Sequence, residues 1–459
     1  MSQENSPSGP WWRGLSRYQL FAFAIASSAW FFDCFDQQIF NLAREDAVKA
    51  ITGSTDLAPY TMSAFLVGWG IGGMYFGALG DRLGRAKILT LCIFLYAAFT
   101  GLSAFSVSIW DFCLYRLLTG IGVGGVFGLA VALVSDVVEG DKRPKALGTF
   151  QALSTIGNIS AGAVALGVAA LITAGVIAPA LNWKVLFLVG AIPALITGFI
   201  ALKLREPQKW IDARAAGKAK GEKAGSYTEL LGNKQTRKNA LLGLVLCSAG
   251  IIGLWGLGNF QPKIVGAIIS EQQKLLLGIN GVPSDEQKKA LSAAVANAKA
   301  WALMAQNLGG FFGMLLLAKM AQVWGRRPAF AVGFVAATAA TMLVFKCLDT
   351  YQEIWWMIPL MGATQLSLFA GFAIYLPELF PSSQRATGVS FCYNIGRFVA
   401  ATAPFTLAAW TTKMTSGLST EAEKLVVFRD AGFWMSLVLL TGLLVLPFLP
   451  ETKGKPLPE

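Results

Sequence analysis

Twelve runs of apolar residues, each about 20 long and so long enough to cross a bilayer as a helix, dominate this chain. They lie near 18–40, 58–79, 86–106, 109–135, 146–174 and 185–203, then near 240–261, 299–320, 329–348, 354–377, 386–411 and 431–449. A bare peptide group finds no water in the hydrocarbon core, so segments of this kind must satisfy their own backbone as helices. Composition agrees. The 459 residues are 54% hydrophobic and 14% charged, with mean hydropathy +0.55, where a soluble chain carries roughly 25% charged residues. The expected fold is an all-α integral membrane protein with twelve transmembrane helices.

The net charge of +12 reports topology rather than nucleic-acid binding. With both termini cytoplasmic, 24 of the 38 Lys and Arg fall in cytoplasmic segments, as the positive-inside rule requires. The first seventeen residues are polar, with Trp11 and Trp12 suited to the interface, and no cleavable leader is expected. All six cysteines lie in or beside spans, so no disulfide framework is indicated. With no histidine in the chain, proton handling falls to carboxylates and no metal cluster is expected. No cofactor is expected either. A Gly-rich phosphate loop and a serine nucleophile elbow are both missing, which speaks against an enzyme.

The chain divides into a cytoplasmic N-terminal segment (1–17), a six-helix half (18–204), a Lys-rich cytoplasmic loop (205–239), a second six-helix half (240–449) and a cytoplasmic tail (450–459). The halves echo each other at an offset of about 240 residues. "DRLGRAKIL" (81–89) aligns with "QVWGRRPAF" (322–330), and "SDVVEGDKR" (135–143) with "PELFPSSQR" (377–385). "TIGN" (155–158) falls on "NIGR" (394–397). Transporters built from repeats bind substrate near the midplane between halves. The external segment 262–298 reads as a long loop in which Ser284 caps a helix running into span eight.

"GALGDRLGRAKIL" (77–89) resembles the signature loop of the major facilitator superfamily, with Gly80 and Ala86 as departures. "YRLLTGIGVGGVFG" (115–128) resembles its span-four element, where Gly120, Gly124 and Gly128 make a smooth face for helix packing. "REPQKW" and "LPETKGKPLPE" look like elements of sugar porters and organic ion transporters, and "FFDCFD" resembles a motif of aromatic acid:H⁺ symporters with Cys34 in place of glycine. The resemblance implies two pseudo-symmetric six-helix halves that alternate access. It also implies a cytoplasmic gating cluster of Gly77, Asp81, Arg82, Gly84, Arg85, Asp136, Arg143, Arg326, Glu378 and Arg385.

Charges inside the spans are functional suspects by default. At a rise of about 1.5 Å per residue, Asp33 and Asp36 lie roughly 22 and 27 Å from the cytoplasmic end of span one, at a depth similar to Arg116 of span four. Three residues apart, the two carboxylates share a helix face and are expected to look into one cavity. Proton coupling is assigned to Asp36 with Arg116 and to Asp33. A static salt bridge is the competing reading, and Asp33 is left open between proton, cation and substrate. Arg397 lies near the midplane with no acid in its own span. Its planar fork suits a carboxylate, although pairing with Asp33 would serve it equally. Gln151, Asn158, Trp255, Asn259, Gln365, Tyr393 and Asn394 are assigned as substrate contacts beside Arg397, with Gln261, Phe369 and Tyr375 in reserve. The expected function is inward transport of a small organic acid with protons by a functional monomer in the cell's inner membrane. A sugar, polyol or organic cation porter and a transport-inactive relative are the alternatives.

Overall fold

The computed structural model describes residues 10–219, 224–257, 261–276, 278, 284–400, 410, 413–415 and 420–458. The first half comprises α1 (Arg17–Thr52), α2 (Ala58–Leu83), α3 (Arg85–Ser103), α4 (Ile109–Val137), α5 (Lys142–Thr173) and α6 (Asn182–Ala201). The linker carries α7 (Gln208–Ala219) and α8 (Tyr227–Gly232). The second half follows as α9 (Lys234–Ile251), α10 (Gln261–Leu276), α11 (Asp285–Val323), α12 (Arg326–Cys347), α13 (Tyr351–Gln365), α14 (Ser367–Tyr375), α15 (Arg385–Ala400) and α16 (Glu421–Met435). Among the described residues ten helical stretches are long and apolar enough to cross a membrane. The 36-residue α1 and the 16-residue α15 stand at the places of the first and eleventh expected spans, and residues 401–409 of the latter lie outside the described residues.

Hydrogen-bonded caps fix where several helices start. Ser16 Oγ accepts the Gln19 N–H at 3.1 Å and Gln19 Oε1 accepts the Ser16 N–H at 2.8 Å, a capping box that satisfies two end groups at once. Ser108 with Asp111 opens α4 in the same way, and Ser284, the cap expected from the sequence, opens α11 together with Gln287. The rest of the expected external loop differs, because α10 is a helix. Its Ile264, Val265 and Ile269 join Ala302, Met357 and Phe428 in one buried apolar cluster, a helical spacing that pays off only against these partners. The 39 residues of α11 therefore run well past a hydrocarbon core of about 30 Å. Span seven is interrupted: α9 passes into a π-helix over Ile252–Leu257.

Glycine lets α2 and α4 touch backbone to backbone. A Cβ on Gly68 or Gly72 would run into the backbone of Leu117 or Ile121, and one on Gly120 or Gly124 into that of Phe65 or Trp69. The second half repeats this groove. Gly309 and Gly313 of α11 lie against the carbonyls of Pro359 and Ala363, and Gly362 of α13 against that of Gln306. Gly128, expected on the same face, is directed instead at Ser390 of the other half, where Gly77 also packs.

Both termini and the linker meet on one face, called here the basic face. Lys142 Nζ donates to Arg13 O at 2.8 Å, Tyr18 and Arg205 bond each other, and Arg385 Nη2 donates to Pro458 O at 2.9 Å. The halves contact each other along two pseudo-symmetric seams, α2 with α15 and α5 with α11.

Candidate functional site

Two motifs of the repeat end in matching caps. Gly84 (φ 122°) and Gly325 (φ 108°) turn the chain into α3 and α12, a backbone region open to glycine. The exposed N–H groups of the new helices then meet a carboxylate brought from far along the chain. Glu206 accepts from Ala86 N (3.1 Å) and Lys87 N (3.0 Å), and Glu451 accepts from Arg326 N (2.9 Å) and Arg327 N (3.0 Å). Burial works to raise the Glu451 carboxyl. The backbone N–H groups of Arg326, Arg327, Lys453 and Thr452 outweigh it and hold the group below its ordinary value. Neither glutamate carries a signal of its own in the sequence beyond its place in "REP" and "PET".

The gating residues are brought together on the basic face in two groups. In the first, Arg85 donates to Asp81 Oδ1 (3.1 and 3.2 Å) and pairs with Asp136, which also pairs with Arg385 of the other half. Asp81 crosses the seam as well, accepting Thr387 N and Thr387 Oγ1, both at 2.8 Å. Arg85, Asp81, Asp136 and Arg385 are all buried. In the second group Arg326 forks onto Glu378 (2.7 and 3.0 Å), which also accepts Thr452 Oγ1 at 2.5 Å. Arg82 and Arg143 stand outside these ion pairs. Arg82 donates to Ala224 O (3.3 Å) and Gly225 O (3.1 Å) of the linker, and Arg143 to Val138 O (3.2 Å). Gln322, the counterpart of Asp81, bonds the Asp141 carbonyl of the first half at 3.2 Å. Arg143, Arg326, Glu378 and Arg385 line a cavity of about 840 Å³ on this face, together with tail residues Lys453–Pro458.

Deeper in, the two aspartates of α1 have different cationic neighbours. A three-residue step turns a helix by 300°, or 60° short of a full turn. Asp36 faces the interior of the first half. Its Oδ2 lies 4.0 Å from Arg116 Nη1, and the site is sealed from solvent. Arg116 is held by Ser103 Oγ (2.7 and 3.0 Å), Thr119 Oγ1 (3.0 Å) and Phe99 O (3.2 Å), with Phe187 and Phe40 against its guanidinium at 4.8 and 5.2 Å. Asp33 makes no ion pair within 4.0 Å among the described residues, and the cation whose charge reaches it is Arg397 of the other half. Both Asp33 oxygens are buried without a hydrogen-bond partner, as are Nε and Nη1 of Arg397.

Arg397 is sandwiched. Its Cζ sits 3.5 Å from the ring centroid of Trp69 on α2 and 4.4 Å from that of Tyr393 on α15, a geometry that fixes the plane of the guanidinium. Tyr393 in turn stacks on Phe127 across the seam (3.9 Å) and meets Phe369 edge-on (6.2 Å), while Trp30 packs on Phe127 (5.0 Å) and Phe150 (6.2 Å). An aromatic floor drawn from both halves thus lies on the basic-face side of Asp33. Trp69, Trp30 and Phe127 were not singled out from the sequence, where an aromatic in an apolar span looks like any other core residue.

The remaining predicted contacts divide. Asn158 donates to Asn307 at 2.9 Å across the α5–α11 seam, the counterpart of the Arg397–Trp69 contact on the other seam. Asn394 donates to Ser390 O (3.0 Å) and packs on Gly73 of α2, and Gln151 is buried with its Oε1 unpartnered. Gln365 bonds Thr341 inside the second half at 2.7 Å, away from the seams. Asn259 lies outside the described residues, as do the side chains of Trp255 and Gln261. Among the described residues no group of three or more metal-binding side chains occurs.

Residues 18–459 match the family model described as "Sugar (and other) transporter". The chain is 28% identical over 97% of its length to a probable 4-methylmuconolactone transporter of Cupriavidus pinatubonensis, covering 93% of that protein. It is 25% identical over 84% of its length to the cis,cis-muconate transport protein of Acinetobacter baylyi, covering 86% of that protein. In three dimensions it is similar to the proton:xylose symporter XylE bound to 6-bromo-6-deoxy-D-glucose, with TM-score 0.70, 16% identity, and 96% and 98% of the two chains covered.

Proposed function

This chain belongs to the sugar (and other) transporter family of the major facilitator superfamily, and we propose that it carries a small organic acid across the membrane in symport with protons. The observation that carries this reading is Arg397, whose Nε and Nη1 are buried without hydrogen-bond partners between two aromatic rings at the seam of the halves. A guanidinium so fixed holds two unsatisfied donors that a carboxylate can satisfy, and the rings offer faces to an unsaturated or aromatic body. The names of the two relatives, for a muconolactone and for muconate, support an organic acid.

Alternating access follows from rocking one half against the other. The Asp81–Arg85–Asp136–Arg385 cluster would fasten the basic face, which we place in the cytoplasm of an inner-membrane monomer. Proton coupling is assigned to Asp36, which with Arg116 forms a buried pair 4.0 Å apart and open to protonation when the helices around it loosen. The test is uptake into proteoliposomes under an imposed pH gradient. Arg397→Ala abolishes uptake of benzoate or muconate while Arg397→Lys, a point charge without the fork, retains part. Undiminished carboxylate uptake by the alanine variant removes the anion seat, and saturable xylose uptake in its place makes the chain a sugar porter.

A further inference from the structure

The cap that turns the chain into α12 borders a groove of about 530 Å³. Trp324, Arg327 and Ala331 line it around the start of α12, and Leu443, Leu446 and Pro447 line it from the end of the last span. Trp324 and the neighbours of these residues, Val323, Leu444 and Phe448, are each more than half exposed. On a chain that spans a membrane such apolar surface faces lipid, and an indole at the end of a span belongs to the interfacial belt. Arg327 is the exception to the apolar lining. Its backbone N–H goes to Glu451, while its guanidinium makes no hydrogen bond and no ion pair within 4.0 Å among the described residues. The carboxylate beside it is fully engaged. Glu451 Oε1 accepts from Arg326 N (2.9 Å), Thr452 N (3.0 Å) and Lys453 N (2.9 Å), and Oε2 accepts from Arg327 N (3.0 Å). Lys453 adds a second cation here, its Nζ donating to Val323 O at 2.7 Å. The cap itself does not require Trp324 and Arg327, because the first half builds the matching cap on Glu206 with Leu83 and Ala86 in those two places.

We infer that this groove binds an acidic phospholipid from the leaflet on the basic face, with the phosphate on Arg327 and an acyl chain along Ala331, Leu443 and Leu446. A guanidinium matches a phosphate with paired N–H donors, and basic pockets between spans are where acidic headgroups bind. The charges at the groove select the headgroup. Phosphatidylcholine and phosphatidylethanolamine each bring a further cation beside Arg327 and Lys453, and the carboxylate that could receive it, Glu451, has both oxygens filled by backbone N–H groups. An acidic lipid brings the phosphate without that cation. The apolar lining selects a lipid over a free phosphate, since a small ion would leave Ala331, Leu443 and Leu446 uncovered while an acyl chain covers them. The lipid would lie against the turn that carries Arg326 to Glu378 (2.7 and 3.0 Å), and so brace the second gating group from the membrane side.

The experiment offers purified full-length protein equal amounts of phosphatidylglycerol, phosphatidylethanolamine and phosphatidylcholine with the same acyl chains, and counts the lipid retained by native mass spectrometry. Wild type should retain phosphatidylglycerol about fivefold over the other two, the preference that one well-placed cation gives. Arg327→Gln loses the preference and Arg327→Lys keeps part of it. Lys87→Gln, at the matching start of α3, keeps all of it. Ala331→Phe, which fills the groove and leaves every charge in place, loses retention. Phosphatidylglycerol raises the melting temperature of wild type, and inorganic phosphate or glycerol 3-phosphate at the same concentration does not. Equal retention of the three lipids by wild type overturns the inference, and so does a preference that survives in Arg327→Gln. A preference lost equally in Lys87→Gln overturns it as well, by showing a general surface charge. Retention unchanged in Ala331→Phe, or the same stabilisation by inorganic phosphate, shows an anion contact without a lipid groove and overturns it too. Should Arg327→Gln not fold, the wild-type preference and the Ala331→Phe result decide the matter.

Discussion

Replacing Asp136 by Asn should unfasten the basic face. Asp136 is 4% exposed and stands between the guanidiniums of Arg85 and Arg385, one from each half. The asparagine keeps the shape and removes the charge, leaving two buried cations opposed. Breaking a buried ion pair by removing one partner costs about 3–5 kcal/mol. The lower end applies here. Arg85 keeps Asp81, and Arg385 keeps the carbonyls of Pro377 (3.2 Å) and Pro458 (2.9 Å). Because the Asp136–Arg385 contact joins the halves, its loss falls on the closed arrangement, and about 3 kcal/mol moves that equilibrium by roughly 100- to 200-fold. The reporter is Ser382→Cys, a position 5% exposed beside the cluster, in a background whose six cysteines are replaced. Its alkylation by a maleimide reads the open population. The expected result is labelling faster by about two orders of magnitude, with melting temperature little changed. Labelling rates within twofold of the parent would refute the reasoning, since the cluster would then not hold the halves closed. A large fall in melting temperature without faster labelling would refute it too, by showing that the cost falls on folding and not on opening.

Asp36→Asn leaves Arg116 with Ser103, Thr119 and the Phe99 carbonyl. It should therefore fold, keep counterflow exchange and lose gradient-driven accumulation, measured as the steady-state substrate ratio across proteoliposomes. Unchanged accumulation removes Asp36 from the coupling role. Glu451, held below its ordinary value of 4.5, makes a signed prediction about stability. A carboxyl depressed in the folded state stabilises fully above its unfolded value and loses that contribution as pH falls through the folded one. Glu451→Gln should lower the melting temperature at pH 7 by the equivalent of about 1 kcal/mol, the typical worth of a cap. The gap to wild type should then close below pH 4.5. A gap constant with pH would show that the carboxylate charge at the start of α12 contributes nothing.

Much of the architecture was legible because it depends on local chemistry. Apolar length gave the spans, Ser284 gave the start of α11, and the 240-residue echo predicted paired halves before their contacts were visible. Depth along a helix is also local arithmetic, which is how Asp36 met Arg116. What stayed hidden depends on neighbours. Which cation stands beside Asp33 follows from which helices flank α1, a fact no stretch of α1 contains. Trp69 gives no sign that a cation will lie on its face, since its partner arrives from α15, more than 300 residues later. Glu206 and Glu451 are capping residues separated from their helices by 120 and 125 positions, beyond any pattern that reads a cap from adjacent residues. The helix over Gln261–Leu276 was masked by the charges of its outer surface, which reads as loop until the apolar stripe has something to cover.

The backbone-on-backbone glycine grooves carry a mechanical consequence. Where Gly68 and Gly72 meet Gly120 and Gly124 there is no layer of side chains to shear, so α2 and α4 cannot slip past each other without losing contact altogether. The groove of Gly309, Gly313 and Gly362 welds α11 to α13 in the same manner. Each half is thus a lever without backlash: a displacement of an ångström at the Arg397 seam reaches the far end of α2 undamped, where Asp81 meets Thr387. Alanine at any of these glycines would leave every charge in place and act as a loose pivot, absorbing the stroke between the seat of the anion and the fastening it has to release.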